Sequence, residues 1–215
     1  MKRWLVLFLT AVLSLSLCAC KEQAVSGTAH SYVLIDPGHG GFDGGTTASD
    51  GTNEKQVNLT LSLVLRDLLR VTGVPVQMTR QTDMATGESK VADMHNRLSM
   101  YENAALVISI HQNHFSEAKY RGAQVFYSVH DTESERLAQL LQQSVAVRLQ
   151  PENNRQIKPA TSGIYLLHHT TTPAVLVECG FLSNPQELDL LKQPSYQQEL
   201  AFALLCGYWD YMLEN

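Results

Sequence analysis

With 215 residues, 44% of them hydrophobic and 17% charged, the chain is long enough for one domain with a substantial core. A formal charge of −5 lacks the basic footprint that nucleic acid requires, so no nucleic-acid partner is expected. No run of like charges marks a disordered tail, and no internal repeat marks a solenoid.

Residues 1–19 read as a signal peptide. Lys2 and Arg3 precede an apolar run over 4–17 that is too short to span a bilayer comfortably. The sequence Leu17-Cys18-Ala19-Cys20 that follows resembles a bacterial lipobox, in which the peptide is cut before the last cysteine and that cysteine is acylated. On this reading Cys20 anchors the exported chain to the outer face of a membrane, and 20–30 is a lipidated polar tether. Loss of Lys2 and Arg3 takes the charge to about −7. An uncleaved anchor and plain secretion are the alternatives. Beyond these only Cys179 and Cys206 remain, both in apolar segments, which reads as two buried thiols rather than a bridge.

Residues 31–215 form the expected folded domain. A short buried strand is predicted over 32–35, stopped by Asp36-Pro37-Gly38. His39 follows among glycines, and Asn53-Glu54 opens a helix over 57–71 whose apolar residues Val57, Leu61, Leu65 and Leu68 keep helical spacing, with Gly73 to close it. Strand 74–79, polar loop 80–90 and helix 91–105 come next, then the continuous apolar strand 106–110 ending at His111 and Asn113. Strand 122–129, helix 132–149, loop 151–162 and short strand 164–167 precede a buried strand 174–177, ended by Glu178. Asn184-Pro185 starts a helical turn, and 196–212 is a closing helix. Strands alternating with helices predict a single α/β domain: a mostly parallel or mixed twisted sheet with helices on both faces.

Open α/β sheets bind ligands at the strands' C-terminal edge, and four polar residues fall there. His39, His111 and Glu178 end three strands, and Glu54 starts a helix. A glutamate straight after the apolar run AVLV is expensive unless something compensates its charge. Two histidines and a carboxylate form the ligand set of many catalytic zinc sites, and a further carboxylate then moves protons. Each residue also has an ordinary occupation, such as a loop histidine bonded to backbone or a first-turn glutamate favoured by the helix dipole. Arg80 and Arg97 are candidates for substrate carboxylates, and Asn113 for orienting substrate. His114, His168 and His169 are left outside the ligand set, and Leu166 and Leu167 are read as core.

The blocks IDPGHGGFDGG, NEKQVNLTLSLVLRDLL, MTR, SIHQN, GAQVFY and VLVECGFLSNPQELDLL resemble the zinc-dependent N-acetylmuramoyl-L-alanine amidases of the amidase-3 type, over about 32–213. The resemblance implies hydrolysis of the amide between N-acetylmuramic acid and L-alanine of the peptidoglycan stem peptide. It implies Zn2+ on His39, Glu54 and His111, with Glu178 as catalytic acid/base. Some such enzymes carry an inserted helix after the second histidine block that occludes the site. Residues 112–121 leave no space for one here, so an open cleft is expected, and no appended wall-binding domain is expected. GIYLLHHTTTPAVLVECGFLSNP looks most like the amidases of spore cortex, which form muramic δ-lactam and often need a lipoprotein activator; vegetative wall remodelling is the neighbouring option. From other classes, a zinc peptidase or deacetylase acting on another wall bond, or a non-catalytic peptidoglycan-binding module, are the alternatives.

Overall fold

The structure, a computed structural model, describes residues 32–214; the expected signal peptide, Cys20 and the whole of the tether lie outside the described residues. The elements run β1 (Val33–Pro37), α1 (Glu54–Val71), β2 (Val76–Met78), α2 (Lys90–Glu102), β3 (Leu106–Asn113), β4 (Gln124–Tyr127), α3 (Thr132–Arg148), β5 (Lys158–Pro159), α4 (Tyr165–His169), β6 (Ala174–Phe181), α5 (Pro185–Leu191) and α6 (Pro194–Glu214). They build one six-stranded sheet in the order β2-β1-β3-β6-β4-β5. The four strands from β2 to β6 are parallel; β4 runs antiparallel to β6 and parallel to β5.

The central strands are apolar without alternation because both faces are covered. Leu34, Val107 and Leu176 point into a core shared with Tyr101 of α2 and Leu167 of α4. Their neighbours Ile35, Ile108, Ile110, Val175 and Val177 point the other way, against α1, α3 and α6. Helix α1 owes its place to Val57, Leu61, Leu65 and Leu69, one apolar stripe at every fourth residue, all buried. It ends in a Schellman turn. Gly73, at φ 84°, donates to Arg70 O, and Val74 donates to Leu69 O. Ser89, Asp131 and Asn184 cap α2, α3 and α5 through their side-chain oxygens. Among the described residues no helix is long and apolar enough to cross a membrane.

Four expectations are corrected. Segment 164–167 is not a strand: Tyr165–His169 is helical, with His168 N–H donating to Ile164 O. Its run IYLL is too short for periodicity to separate a buried strand from a helix, and Leu166 and Leu167 bury equally well as a helical turn. Loop 151–162 contains β5, whose Pro159 is tolerated because the strand lies at the sheet's edge. Asp36 and Pro37 do not end β1, since Pro37 still pairs with Ile110 and needs no N–H on that side. His111, Asn113 and Glu178 lie within β3 and β6, which run further than the apolar residues alone suggest. Cys179 is buried, Cys206 half-buried, and neither is bridged.

Candidate active site

The parallel strands deliver their C-terminal ends to one edge, and the site is assembled there. His111 and Glu178 are register partners on β3 and β6, so their side chains leave the sheet as direct neighbours on one face. His39 comes from the loop after β1 and Glu54 from the first turn of α1. His39 is the one non-glycine with positive φ among the described residues, at 63°. That left-handed conformation costs of order 1–2 kcal/mol for a residue with a Cβ. It turns the imidazole back over the sheet edge.

Two glycines make room. A Cβ on Gly38 would lie 2.3 Å from the His111 ring, so the ring packs directly on bare backbone. A Cβ on Gly45, itself at φ 66°, would lie 2.6 Å from Glu54 Oε2 and 2.7 Å from the His39 ring. The glycine-rich loop is therefore a steric requirement of the cluster as well as a turn.

Glu54 sits between the two imidazoles. Its Oε2 is 3.2 Å from His39 Nε2 and its Oε1 3.0 Å from His111 Nδ1. Backbone N–H groups of Thr46 and Gln112 and the Asn58 amide also donate to it. Burial penalises this carboxylate, but the bonds and charges of the two histidines outweigh the penalty and hold it well below the usual carboxylate range. On the far side of His39, Nδ1 meets Asp43 Oδ2 at 2.9 Å. Burial opposes the charged imidazole, and its two acidic neighbours win, raising the His39 pKa.

Glu178 is in the opposite condition. Its Oε2 is buried and finds no hydrogen-bond donor among the described residues. Burial and the Glu54 charge push its pKa up to about 7 despite the pull of the histidines. One cluster thus holds a carboxylate fixed as an anion beside a carboxyl poised to gain or lose a proton near neutrality.

The donor set fits a divalent cation. Ligand atoms of His39, Glu54 and His111 all lie within 4.8 Å of one another, and these three are the only such group among the described residues. Asp43 on His39 Nδ1 leaves Nε2 facing the cluster, as outer carboxylates do for ligating histidines. Two cavities of about 510 and 560 Å³ meet at His39, His111 and Glu178. The two histidine side chains are 20% and 19% exposed, so both rings reach the cavity surface. Among the described residues no helix lies between β3 and β4.

The other candidates divide. Asn113 lies on the wall of the same cleft, its Oδ1 accepting from His114 N–H at 2.8 Å. Arg80 and Arg97 are corrected as substrate carboxylate contacts. Both are buried, and their guanidiniums are committed to backbone carbonyls and, for Arg97, to Asp36 and Asp93. His114 and His169 are exposed and His168 half-buried, all outside the cluster. Leu167 is fully buried and Leu166 nearly so, as core residues. Sequence reasoning gave no role to Asp43. The signal was an acid four residues after the histidine in a glycine loop, close enough to fold back on the ring.

An α/β domain with two imidazoles, an anionic carboxylate and a proton-poised carboxyl at one sheet edge defines a hydrolytic enzyme. The chain belongs to the N-acetylmuramoyl-L-alanine amidase family, amidase-3 type, whose model matches residues 33–207. It is 37% identical over 193 residues to the germination-specific N-acetylmuramoyl-L-alanine amidase of Bacillus subtilis, covering 85% of this chain and 80% of that one. Among solved structures it is similar to the CwlD amidase of Clostridioides difficile in complex with the GerS lipoprotein, with 35% identity and a TM-score of 0.82. That match covers 86% of this chain and all of the other. An N-acetylmuramoyl-L-alanine amidase of Clostridium difficile 630 follows at 29% identity and TM-score 0.77, covering 86% of this chain and 99% of that one.

Proposed function

We propose that the protein is a zinc-dependent amidase that hydrolyses the bond between the lactyl group of N-acetylmuramic acid and L-alanine of the peptidoglycan stem peptide. The observation that carries this is the Oε2 of Glu178, buried and without a hydrogen-bond donor among the described residues, beside the His39–Glu54–His111 cluster. Zinc held by those three residues would supply a Lewis acid for the amide carbonyl and lower the pKa of water to about 7. The chain's own residues do the rest. Glu178 takes a proton from the attacking water and returns it to the amide nitrogen, so the carbon–nitrogen bond breaks into a lactyl carboxylate and a free amine. Burial and the Glu54 charge raise the Glu178 pKa in the cation-free site, toward the range in which one carboxyl can serve both transfers. Glu54 stays anionic, and Asp43 keeps the His39 ring in place.

The similarity to a germination-specific amidase and to CwlD supports work on spore cortex and a lipoprotein partner. The lipobox-like run ending at Cys20 supports an exported, lipid-anchored protein. Digestion of purified peptidoglycan by the protein with zinc tests the reading by product mass. Free stem peptides beginning at L-alanine, with intact lactyl glycan, are expected. Internal peptide cuts or loss of acetyl groups would instead indicate the peptidase or deacetylase, and an unchanged sacculus the non-catalytic module.

A further inference from the structure

The loop that carries His39 has three successive carbonyls that are all engaged by arginines. Pro37 O accepts from Arg80 Nε and Arg97 Nη1, each at 3.0 Å. Gly38 O accepts from Arg80 Nη2 at 2.9 Å, and His39 O from Arg97 Nη2 at 2.6 Å. The same Arg80 Nη2 also donates to Lys55 O at 2.9 Å, the residue next to Glu54 in α1. Two buried guanidiniums therefore hold the backbone that sets His39 in its left-handed conformation, and one ties that loop to the helix turn bearing Glu54.

The charges are arranged to make this possible. Arg97 is neutralised by Asp36 and Asp93, and Asp36 is fixed in turn by Thr79, Tyr101 and Ser109. Arg80 has no such partner among the described residues, and its hydrogen bonds go to carbonyl oxygens. Burial and the repulsion of Arg97 lower its pKa to about 10, so it remains charged at neutral pH. A buried cation spent wholly on main chain is an expensive way to close a loop unless the loop's geometry matters.

Resting on the cation-site reading above, we infer that Arg80 and Arg97 are positioning residues that preform the cation site, touching neither the ion nor the substrate. Lysine keeps the charge but not the planar fork, so at 97 it cannot span Pro37 O and His39 O at once, and at 80 it cannot span Pro37 O and Gly38 O from two separate nitrogens. Arg80→Lys and Arg97→Lys are therefore expected to bind divalent cation about 10–100-fold more weakly, the range for lost support around metal ligands.

The test titrates metal-stripped protein with Co2+, reading its visible absorption, and with Zn2+ in competition against a chelator. Leu141→Ala, a deletion in the opposite-face core on α3, is the control for plain destabilisation. Weaker binding and an altered cobalt spectrum in the arginine variants, with Leu141→Ala like the wild type, carries the inference. Equal affinity and spectrum in all four proteins overturns it while leaving the cation site standing. Loss of affinity in Leu141→Ala to the same degree makes the effect general instability and also overturns it. Failure of both lysine variants to fold assigns the arginines to the fold alone and overturns it too. No cobalt binding by the wild type retires the cation reading, and this inference with it.

Discussion

Replacing Glu178 by glutamine removes a charge that the fold disfavours, so the metal-free variant should gain on the wild type in stability as pH rises. The folded pKa stands at about 7 against an ordinary value of 4.5, because burial and Glu54 penalise the anion and no donor reaches Oε2. A group whose folded pKa is raised contributes stability below its unfolded pKa and loses it as pH climbs to the folded pKa. For wild type that loss runs from about pH 4.5 to 7 and totals roughly 3 kcal/mol, at about 1.4 kcal/mol for each pH unit separating the two values. Glutamine does not titrate, so the difference between variant and wild type isolates this one group. Urea unfolding of chelator-treated protein at half-unit steps from about pH 4 to 8.5 measures it. The gap, glutamine minus wild type, should widen by about 2–3 kcal/mol over that window and then level off. A gap that stays flat, or one that narrows with pH, would refute the claim that Glu178 is an uncompensated buried acid.

Gly38→Ala places a methyl 2.3 Å from the His111 ring, so the ring must move; cation affinity should fall at least about tenfold on cobalt titration while the far-ultraviolet spectrum stays native. Asp43→Ala frees His39 Nδ1 and should weaken cation binding about 10–100-fold by the same titration. Tyr101→Phe removes the hydroxyl that donates to Asp36 Oδ2 at 2.6 Å and leaves a buried acceptor short, so unfolding free energy should drop by about 1–3 kcal/mol. Asp36 also sets an acid limit. Burial opposes its charge, but Arg97 and the Thr79 and Tyr101 hydroxyls hold its pKa well below the ordinary value, so its stabilisation is present above about pH 4 and fades as pH falls further.

Much of this was legible in the sequence because the signals were chemical and positional. Apolar runs at 106–110 and 174–177 marked central strands, and the polar residues directly after them had to reach the sheet's edge. Glu178 stood out through its apolar approach alone. What stayed hidden depends on tertiary contact. Arg80 and Arg97 look like any arginines until the backbone carbonyls they hold, about 40 and 60 residues away in sequence, are seen. The left-handed backbone of His39 has no sequence signal beyond its flanking glycines. Tyr165–His169 folds as a helix because its leucines bury against the second core, which a four-residue apolar run does not reveal.

Metal content and turnover, measured together on Glu178→Ala and Glu54→Gln, test the division of labour at this sheet edge most directly. Glu178→Ala should retain one divalent ion per chain and lose at least about 100-fold in amide hydrolysis, the scale of general acid–base catalysis. Glu54→Gln should lose the ion. A Glu178→Ala protein that sheds its metal, or one that still turns over at the wild-type rate, would contradict the roles given to these two carboxylates.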